Sequence, residues 1–337
     1  MQDRIIGHEK IVRHMSGAVS VGKISHAYLF EGEKGSGKRF LADYFAKLML
    51  CEHPVKEMGP DGKERLAPCG KCLTCRKVAD GNHPDLIHVT HEKPNVLAVG
   101  EVREQVVNSV ALFPYEAELK IYVIPDADLM NEAAQNAILK TIEEPPSYVV
   151  ILLLAENANR LLPTIRSRCL TLPVRPLDEK LITEYLIGEL KIPDYLARMA
   201  AAFSAGNIGR AIRFASSSEF EEMKDTVIGI LKHLDTGEDS DVVEQTRTLA
   251  TYKNEIRECI DLMLLWFKDL LVVKATGDMN RIVYQENYPA LQQQAAHRTY
   301  NAIEEAVQAM EEAKAQLRAN VNFDNVIELM LMQMRKE

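Results

Sequence analysis

Gly32-Glu33-Lys34-Gly35-Ser36-Gly37-Lys38-Arg39 follows a short apolar run, Ala27-Tyr28-Leu29-Phe30-Glu31, and precedes a helix-like run from Phe40 to Leu50. This is GxxxxGK in strand–loop–helix context, and it sets the fold class: an α/β P-loop domain with a parallel sheet. Glycines at 32, 35 and 37 let backbone N–H groups wrap phosphates, and the following helix N-terminus adds partial positive charge. Lys38 is placed to reach the β- and γ-phosphates, so ATP or ADP is the ligand the loop suits.

The position after Lys38 carries the Ser or Thr hydroxyl that ligates Mg²⁺ in hydrolytic P-loop proteins. Here it is Arg39, a cation with no acceptor to offer a metal. The second acidic motif has a matching gap. Ile121-Tyr122-Val123-Ile124-Pro125-Asp126-Ala127-Asp128 is an apolar strand ending in an acid. Hydrolytic relatives follow the first acid, here Asp126, with a Glu that polarises the attacking water; Ala127 supplies no base. Asp128 is offset by one residue and is expected to point elsewhere. Phosphate binding survives these changes, whereas Mg²⁺-dependent hydrolysis by the chain alone does not.

With 337 residues the chain is long enough for two or three domains, and 47% hydrophobic residues suffice for real cores. No stretch stays uncharged for the roughly 18 residues a membrane span needs, and Met1 to His8 lack the order of a signal peptide, so a cytoplasmic protein without membrane contact is expected. A net charge of −9 argues against a protein coated in nucleic acid, while a local basic patch remains compatible with it.

Of six cysteines, Cys69, Cys72 and Cys75 form a tight knuckle. Cys51 offers a fourth thiolate at the end of the preceding helix, and His53 or His83 could take its place. Four such ligands suit a closed, structural Zn²⁺ site, and no open position or nearby base suggests a catalytic metal. The intervening Glu52–Pro68, polar and rich in Gly and Pro, reads as a loop. Cys169 and Cys259 stand alone in apolar surroundings.

Five strands are expected, at Ala27–Glu31, Leu86–Val89, Lys120–Pro125, Tyr148–Ala155 and Leu170–Leu172. After Pro173-Val174-Arg175-Pro176 the strand pattern stops. Helical periodicity predicts Asp178–Leu190, Pro193–Ala202 and Ile208–Ala215, with Ser216-Ser217-Ser218 as hinge or cap. Beyond Phe220, helices are expected over Leu249–Lys274, Ala302–Leu317 and Phe323–Met334. The layout is an α/β domain over 1–175 with a zinc knuckle at 51–75, a small helical domain over 176–216, and a helical bundle over 217–337.

After the strand ending at Ala155 comes Asn157-Ala158-Asn159-Arg160-Leu161-Leu162-Pro163-Thr164-Ile165-Arg166-Ser167-Arg168-Cys169. An Arg held behind a short helix at the edge of the α/β domain suits a finger reaching a neighbour's γ-phosphate. Together, Ser167-Arg168-Cys169, Leu139-Lys140-Thr141-Ile142-Glu143-Glu144-Pro145-Pro146, the cysteine knuckle and the P-loop resemble the bacterial DNA polymerase III clamp-loader subunits of the AAA+ class. Ile6-Gly7-His8, Lys23 to Phe30 and Phe113-Pro114 fit that family too. The likeness is strong over the first ~215 residues and rests later on Trp266 to Leu271 and Asn320-Val321-Asn322.

The resemblance implies a five-subunit ring that uses ATP to open the sliding clamp and place it on primer–template DNA during replication. It implies a RecA-like α/β domain, a lid over 176–216 and a C-terminal collar that holds the ring together. The gamma/tau and delta subunits are the implied partners. This chain would be a non-hydrolysing member, donating Arg168 to an adjacent gamma/tau ATP site, and linked to DNA-directed DNA polymerase by complex membership. Hydrolytic relatives carry the sensor-2 Arg where Gly209 stands here, with Arg210 next door. The alternative within the family is a catalytically active gamma/tau-type ATPase, which Arg39 and Ala127 oppose. A P-loop kinase leaves Ser167-Arg168-Cys169 unexplained, and a zinc-dependent DNA-binding module sits poorly with the acidic balance.

Overall fold

A computed structural model describes residues 5–60, 62–93, 96–234, 239–319 and 321–335. Met1–Arg4 and Asn320, which entered the sequence reading, lie outside the described residues. The chain divides into two compact units. One comprises the chain up to Ile182 plus Gly206–Gly209, and the other Thr183–Ala205 plus the chain from Arg210 onward.

The first unit opens with α1 (Glu9–Ser20), β1 (Ala27–Glu31) and α2 (Lys38–Leu50). Then come the hairpin strands β2 (Val55–Met58) and β3 (Glu64–Ala67), α3 (Leu73–Ala79), β4 (Leu86–His88) and α4 (Val99–Val102), which runs into a wide turn of helix over Arg103–Val107. β5 (Lys120–Ile124), α5 (Glu132–Glu143), β6 (Val149–Ala155), α6 (Pro163–Arg166) and β7 (Leu170–Pro173) complete the α/β fold. The five expected strands form one sheet in the order β4-β5-β6-β1-β7, and each recorded pairing is parallel.

Both faces of this sheet are buried, which is why β1, β5 and β6 read as continuous apolar runs. Tyr28, Phe30, Val123 and Leu152 pack on one side with Val12, Met15, Leu41 and Phe45 of α1 and α2. Leu29, Tyr122, Ile151 and Leu153 pack on the other with Val102, Ile138 and Ile142 of α4 and α5. The alternation follows from the two-residue period of a strand. β1 lies between β6 and β7, so the loop after it emerges at a carboxyl edge where strand order reverses, a position that forms binding crevices in open α/β sheets.

The segment Glu52–Pro68, expected as a loop, is instead the antiparallel β2–β3 hairpin. Its Gly and Pro content belongs to the turn, where Gly59 N–H donates to Lys63 O (2.8 Å) and Gly62 N–H to Gly59 O (2.9 Å). Lys56 pairs with Glu64 and Arg65 with Glu57 across the strands, the opposite-charge pairing that supports a small exposed hairpin. Ser16 Oγ of α1 accepts the Leu66 N–H at 2.6 Å and ties the hairpin to the domain.

Helices fill the rest: α7 (Glu179–Gly188), α8 (Asp194–Ser204), α9 (Ile208–Ser216), α10 (Ser218–Lys232), α11 (Asp239–Ala250), α12 (Ile256–Thr276), α13 (Tyr288–His297), α14 (Tyr300–Arg318) and α15 (Phe323–Met334). Ser217 caps α10 by accepting the Phe220 N–H at 3.2 Å, the role expected of the serine triplet. The single helix expected over Leu249–Lys274 is two. Turn bonds from Tyr252 N–H to Leu249 O and from Glu255 N–H to Tyr252 O break it between α11 and α12. Leu249 and Ile256 are both buried, so the apolar period runs across the break and hides it. In the second unit, Trp266 Nε1 donates to Gln294 Oε1 (2.9 Å) and Gln294 Nε2 to Leu231 O (2.7 Å), tying α10, α12 and α13 together. Among the described residues no helix is long and apolar enough to cross a membrane.

Candidate nucleotide and partner site

The loop Gly32–Lys38 joins β1 to the first turn of α2, with Gly35 at φ 84° and Gly37 at φ 93°. Both lie in the left-handed region that a side chain disfavours. At Gly32 the limit is space, because a Cβ would meet Val174 O at 2.5 Å. A cavity of about 300 Å³ opens here, lined by Gly35, Gly37, Lys38, Arg39, Asp126 and Glu156 among others. Lys38 Nζ donates to the loop carbonyls of Gly32 and, at 2.8 Å, of Glu33. Burial lowers its pKa, while Glu156, Asp128, Asp126 and Glu33 act in the opposite direction.

The flanking residues each have defined surroundings. Arg39 turns along α2, its Nε 3.7 Å from Asp43 Oδ2. Asp126 takes φ 49°, and its carboxylate lies 3.5 Å from His91 Nε2. Ala127 is fully buried in the cluster that holds Tyr122, Ile138 and Leu153, so a longer side chain there would enter the core rather than the cavity. Asp128, offset as expected, is also buried. Its oxygens accept the Glu156 N–H (3.1 Å) and the Asn157 N–H (3.3 Å), fixing the loop after β6.

Gly209 gains a physical meaning. Its N–H donates to Gly35 O at 2.9 Å, and a Cβ would meet that oxygen at 2.7 Å and Gly35 Cα at 2.9 Å. Two residues earlier, Asn207 Nδ2 donates to Lys34 O at 2.7 Å. The start of α9 is therefore bonded directly to the phosphate loop. Arg210 pairs instead with Asp261 (2.6 Å) and stacks over Phe203 and Phe214. Asn207 had no motif to mark it in the sequence, because its partner lies 173 positions away.

Arg168 follows the short α6 at the end of the α/β fold. Its guanidinium donates to Thr164 O (3.0 Å) and lies 3.2 Å from Glu143 Oε1 at the end of α5. The side chain stays 40% exposed, so it is held yet accessible. Two of the quoted motifs thus meet through one ion pair. Arg166 bonds to Asn159 Oδ1 at 3.0 Å, giving it a different local role.

The four Sγ atoms of Cys51, Cys69, Cys72 and Cys75 lie within 4.8 Å of one another, so the cluster could hold a metal ion. A zinc with Zn–S bonds of about 2.3 Å sets sulfur–sulfur edges of about 3.8 Å, and Cys69 Sγ to Cys75 Sγ is 4.0 Å. Backbone N–H groups point at the sulfurs, from Lys71 and Cys72 to Cys69, from Cys75 to Cys72 and from Cys69 to Cys51. Those from Lys71 and Cys72 lower the Cys69 thiol to about 6, a thiolate ready for a cation, whereas burial raises Cys51 and Cys75. His83 Nδ1 accepts the Asp85 N–H, and neither it nor His53 joins the cluster. Cys51, rather than a histidine, completes the group of four that could hold the ion.

Comparison with known proteins places this geometry in a family. Residues 7–178 match the family described as DNA polymerase III, delta subunit. The chain is 30% identical over 331 residues to DNA polymerase III subunit delta' of Bacillus subtilis (strain 168), covering 97% of this chain and 96% of the relative. It is 28% identical to the tau subunit of the same organism, over 86% of this chain but only 54% of that longer relative. Among solved structures, a gamma subunit-related protein of Thermotoga maritima aligns with 18% identity and a TM-score of 0.45, covering 95% of this chain and 98% of that one.

Proposed function

The chain belongs to the DNA polymerase III delta-subunit family of clamp-loader proteins, and from that premise we propose that it is a non-hydrolysing, delta-prime-type subunit that donates Arg168 in trans to a neighbouring ATPase. The observation that carries the non-hydrolysing half is the burial of Ala127. The position from which a Glu would polarise water faces an apolar core, so the defect is one of architecture as well as residue type. Arg39 in place of a metal hydroxyl and the bonding of Gly35 to Gly209 support the same reading. The loop can still cradle ATP or ADP, with Gly32, Gly35, Gly37 and Lys38 around the phosphates.

Arg168 supports the other half. A guanidinium oriented by Glu143 and Thr164 O, yet exposed, is arranged to meet an outside anion, and its planar fork suits phosphate oxygens. The partners are then gamma/tau and delta, with the sliding clamp and primer–template DNA engaged through the assembled cytoplasmic complex. The helices from residue 217 serve as its collar and 176–216 as a lid. Zn²⁺ on Cys51, Cys69, Cys72 and Cys75 supplies structural cross-linking when bound and takes no part in phosphate chemistry.

The non-hydrolysing reading is tested by phosphate release from the isolated chain with ATP and Mg²⁺. Turnover at background is expected, and Arg39→Thr does not rescue it because no base is restored. Robust turnover by the pure unmutated chain would refute the reading.

A further inference from the structure

A cavity of about 690 Å³ lies within the helical unit, lined in part by Arg210 and by Lys268 of the Trp266–Leu271 stretch. Four helices meet around it, α8 giving Ala202 and Phe203. α9 contributes Arg210, α12 contributes Arg257, Asp261 and Lys268 along one helical face, and α14 contributes Lys314 and Arg318 one turn apart. Five cations and two carboxylates, Glu258 and Asp261, therefore line one opening, a local excess of 5 − 2 = +3 in a chain of net charge −9.

The acids do not compensate that excess. Asp261 is shared by Arg210 (2.6 Å) and Lys314 (2.9 Å), one oxygen each. Glu258 is engaged by Arg213, which lies outside the lining. Asp269, beside Lys268 in sequence, is buried and accepts the Val283 and Tyr284 N–H groups. The side chains of Arg257, Lys268 and Arg318 make no ion pair or hydrogen bond among the described residues. Like charges gathered at one concavity repel, and a polyanion relieves that repulsion more fully than single counterions do. The Asp261 carboxylate bridging two cations marks the kind of oxygen pair the surroundings accept. The floor is apolar, formed by Phe203, Leu264 and Leu265. The volume falls within the range of small-molecule sites, which runs from about 300 to 1,000 Å³.

We infer that this cavity binds a multiply charged phosphate anion, with Arg257, Lys268 and Arg318 as its direct ligands and the Arg210–Asp261–Lys314 bridge as a fixed wall. The shared chemistry is closely placed phosphate oxygens, whether on a free polyphosphate or on a nucleic-acid backbone. The site is separate from the phosphate loop and does not depend on any role for Lys38.

The test is calorimetric titration with inorganic tripolyphosphate at low salt of the full-length chain carrying Lys38→Ala, which removes competing uptake by the phosphate loop, and of the same chain with Arg257→Ala/Arg318→Ala added. Both arginines are exposed and unpartnered among the described residues, so the double variant is expected to keep the parent melting temperature; Lys268→Ala is the second variant if it does not. The expected result is that the Lys38→Ala chain binds tripolyphosphate and that adding the double substitution weakens binding at least about tenfold, with affinity falling as salt rises. A parallel titration with a single-stranded oligonucleotide of about eight nucleotides distinguishes the source. Tighter oligonucleotide binding that competes with tripolyphosphate identifies the backbone of a nucleic acid, and weaker binding identifies a free polyphosphate. Failure of the Lys38→Ala chain to bind either probe, or undiminished binding after the double substitution is added, would overturn the inference.

Discussion

At position 127 a single methyl group stands where hydrolytic relatives place the carboxylate that polarises water, and the surroundings have closed over it. Ala127 shares its cluster with Tyr122, Ile138 and Leu153, all fully buried. Ala127→Glu should therefore fail to create a base and should lower stability by about 2–5 kcal/mol through burial of an unpaired polar group. Urea denaturation measures this directly, and an unchanged midpoint would mean that the side chain escapes to the cavity. The residue types at 39 and 127 were legible in the sequence because each belongs to a contiguous motif anchored by a strand. The contacts that complete the site were not. Glu143 to Arg168, Asp128 to Glu156 and Asn207 to Lys34 join positions far apart in the chain, and local patterning carries no information about which distant residue a side chain will meet.

Among the elements, the cysteine-bearing segment combines two local structures with one purpose. The β2–β3 hairpin between Cys51 and Cys69 brings those residues together, and Cys72 caps α3 by accepting the Cys75 N–H at 3.3 Å. Neither a short exposed hairpin nor a seven-residue helix can bury enough apolar surface to be stable alone. A metal held by the four cysteines would compensate, since the free energy of binding structural zinc is folding free energy. Cys72→Ser should release about one zinc per chain and lower the melting temperature, leaving Arg168 and its ion pair in place. Metal analysis of the freshly purified parent checks the premise, and absence of zinc there would remove it. β1, β5 and β6 were readable because the centre of the buried sheet requires unbroken apolar runs, and they fall where those runs lie. The hairpin was not, because β2 is exposed along its whole length, Val55 and Met58 included, and β3 fully buries only Ala67, so no buried alternation marks them as strands rather than loop. The α11–α12 break was hidden for the opposite reason, apolar spacing that continues across a turn.

For the molecule as a whole, the role proposed is that of an ATPase fold used as a fixed part of an assembly rather than as a motor. Family membership, the loss of both the metal hydroxyl and the base, and the bonding of Asn207 and Gly209 to the phosphate loop all favour a chain that does not cycle. On that proposal, what it contributes to chemistry is the Arg168 guanidinium, held by Glu143 yet exposed. Fingers supplied in trans can accelerate turnover by on the order of 10³-fold or more, though a loader with several ATP sites loses only the share that borders this subunit. Arg168→Lys should fail nearly as badly as Arg168→Ala, because an ammonium cannot reproduce the planar fork. Arg166→Ala should be milder, since that side chain is spent on Asn159. The decisive measurement is clamp-stimulated ATP turnover by loader rings reconstituted with the parent chain or with Arg168→Ala, after assembly of both has been verified. The expected result is slower turnover in intact Arg168→Ala rings; equal rates for the two would reduce Arg168 to a structural arginine and contradict the role assigned to the chain.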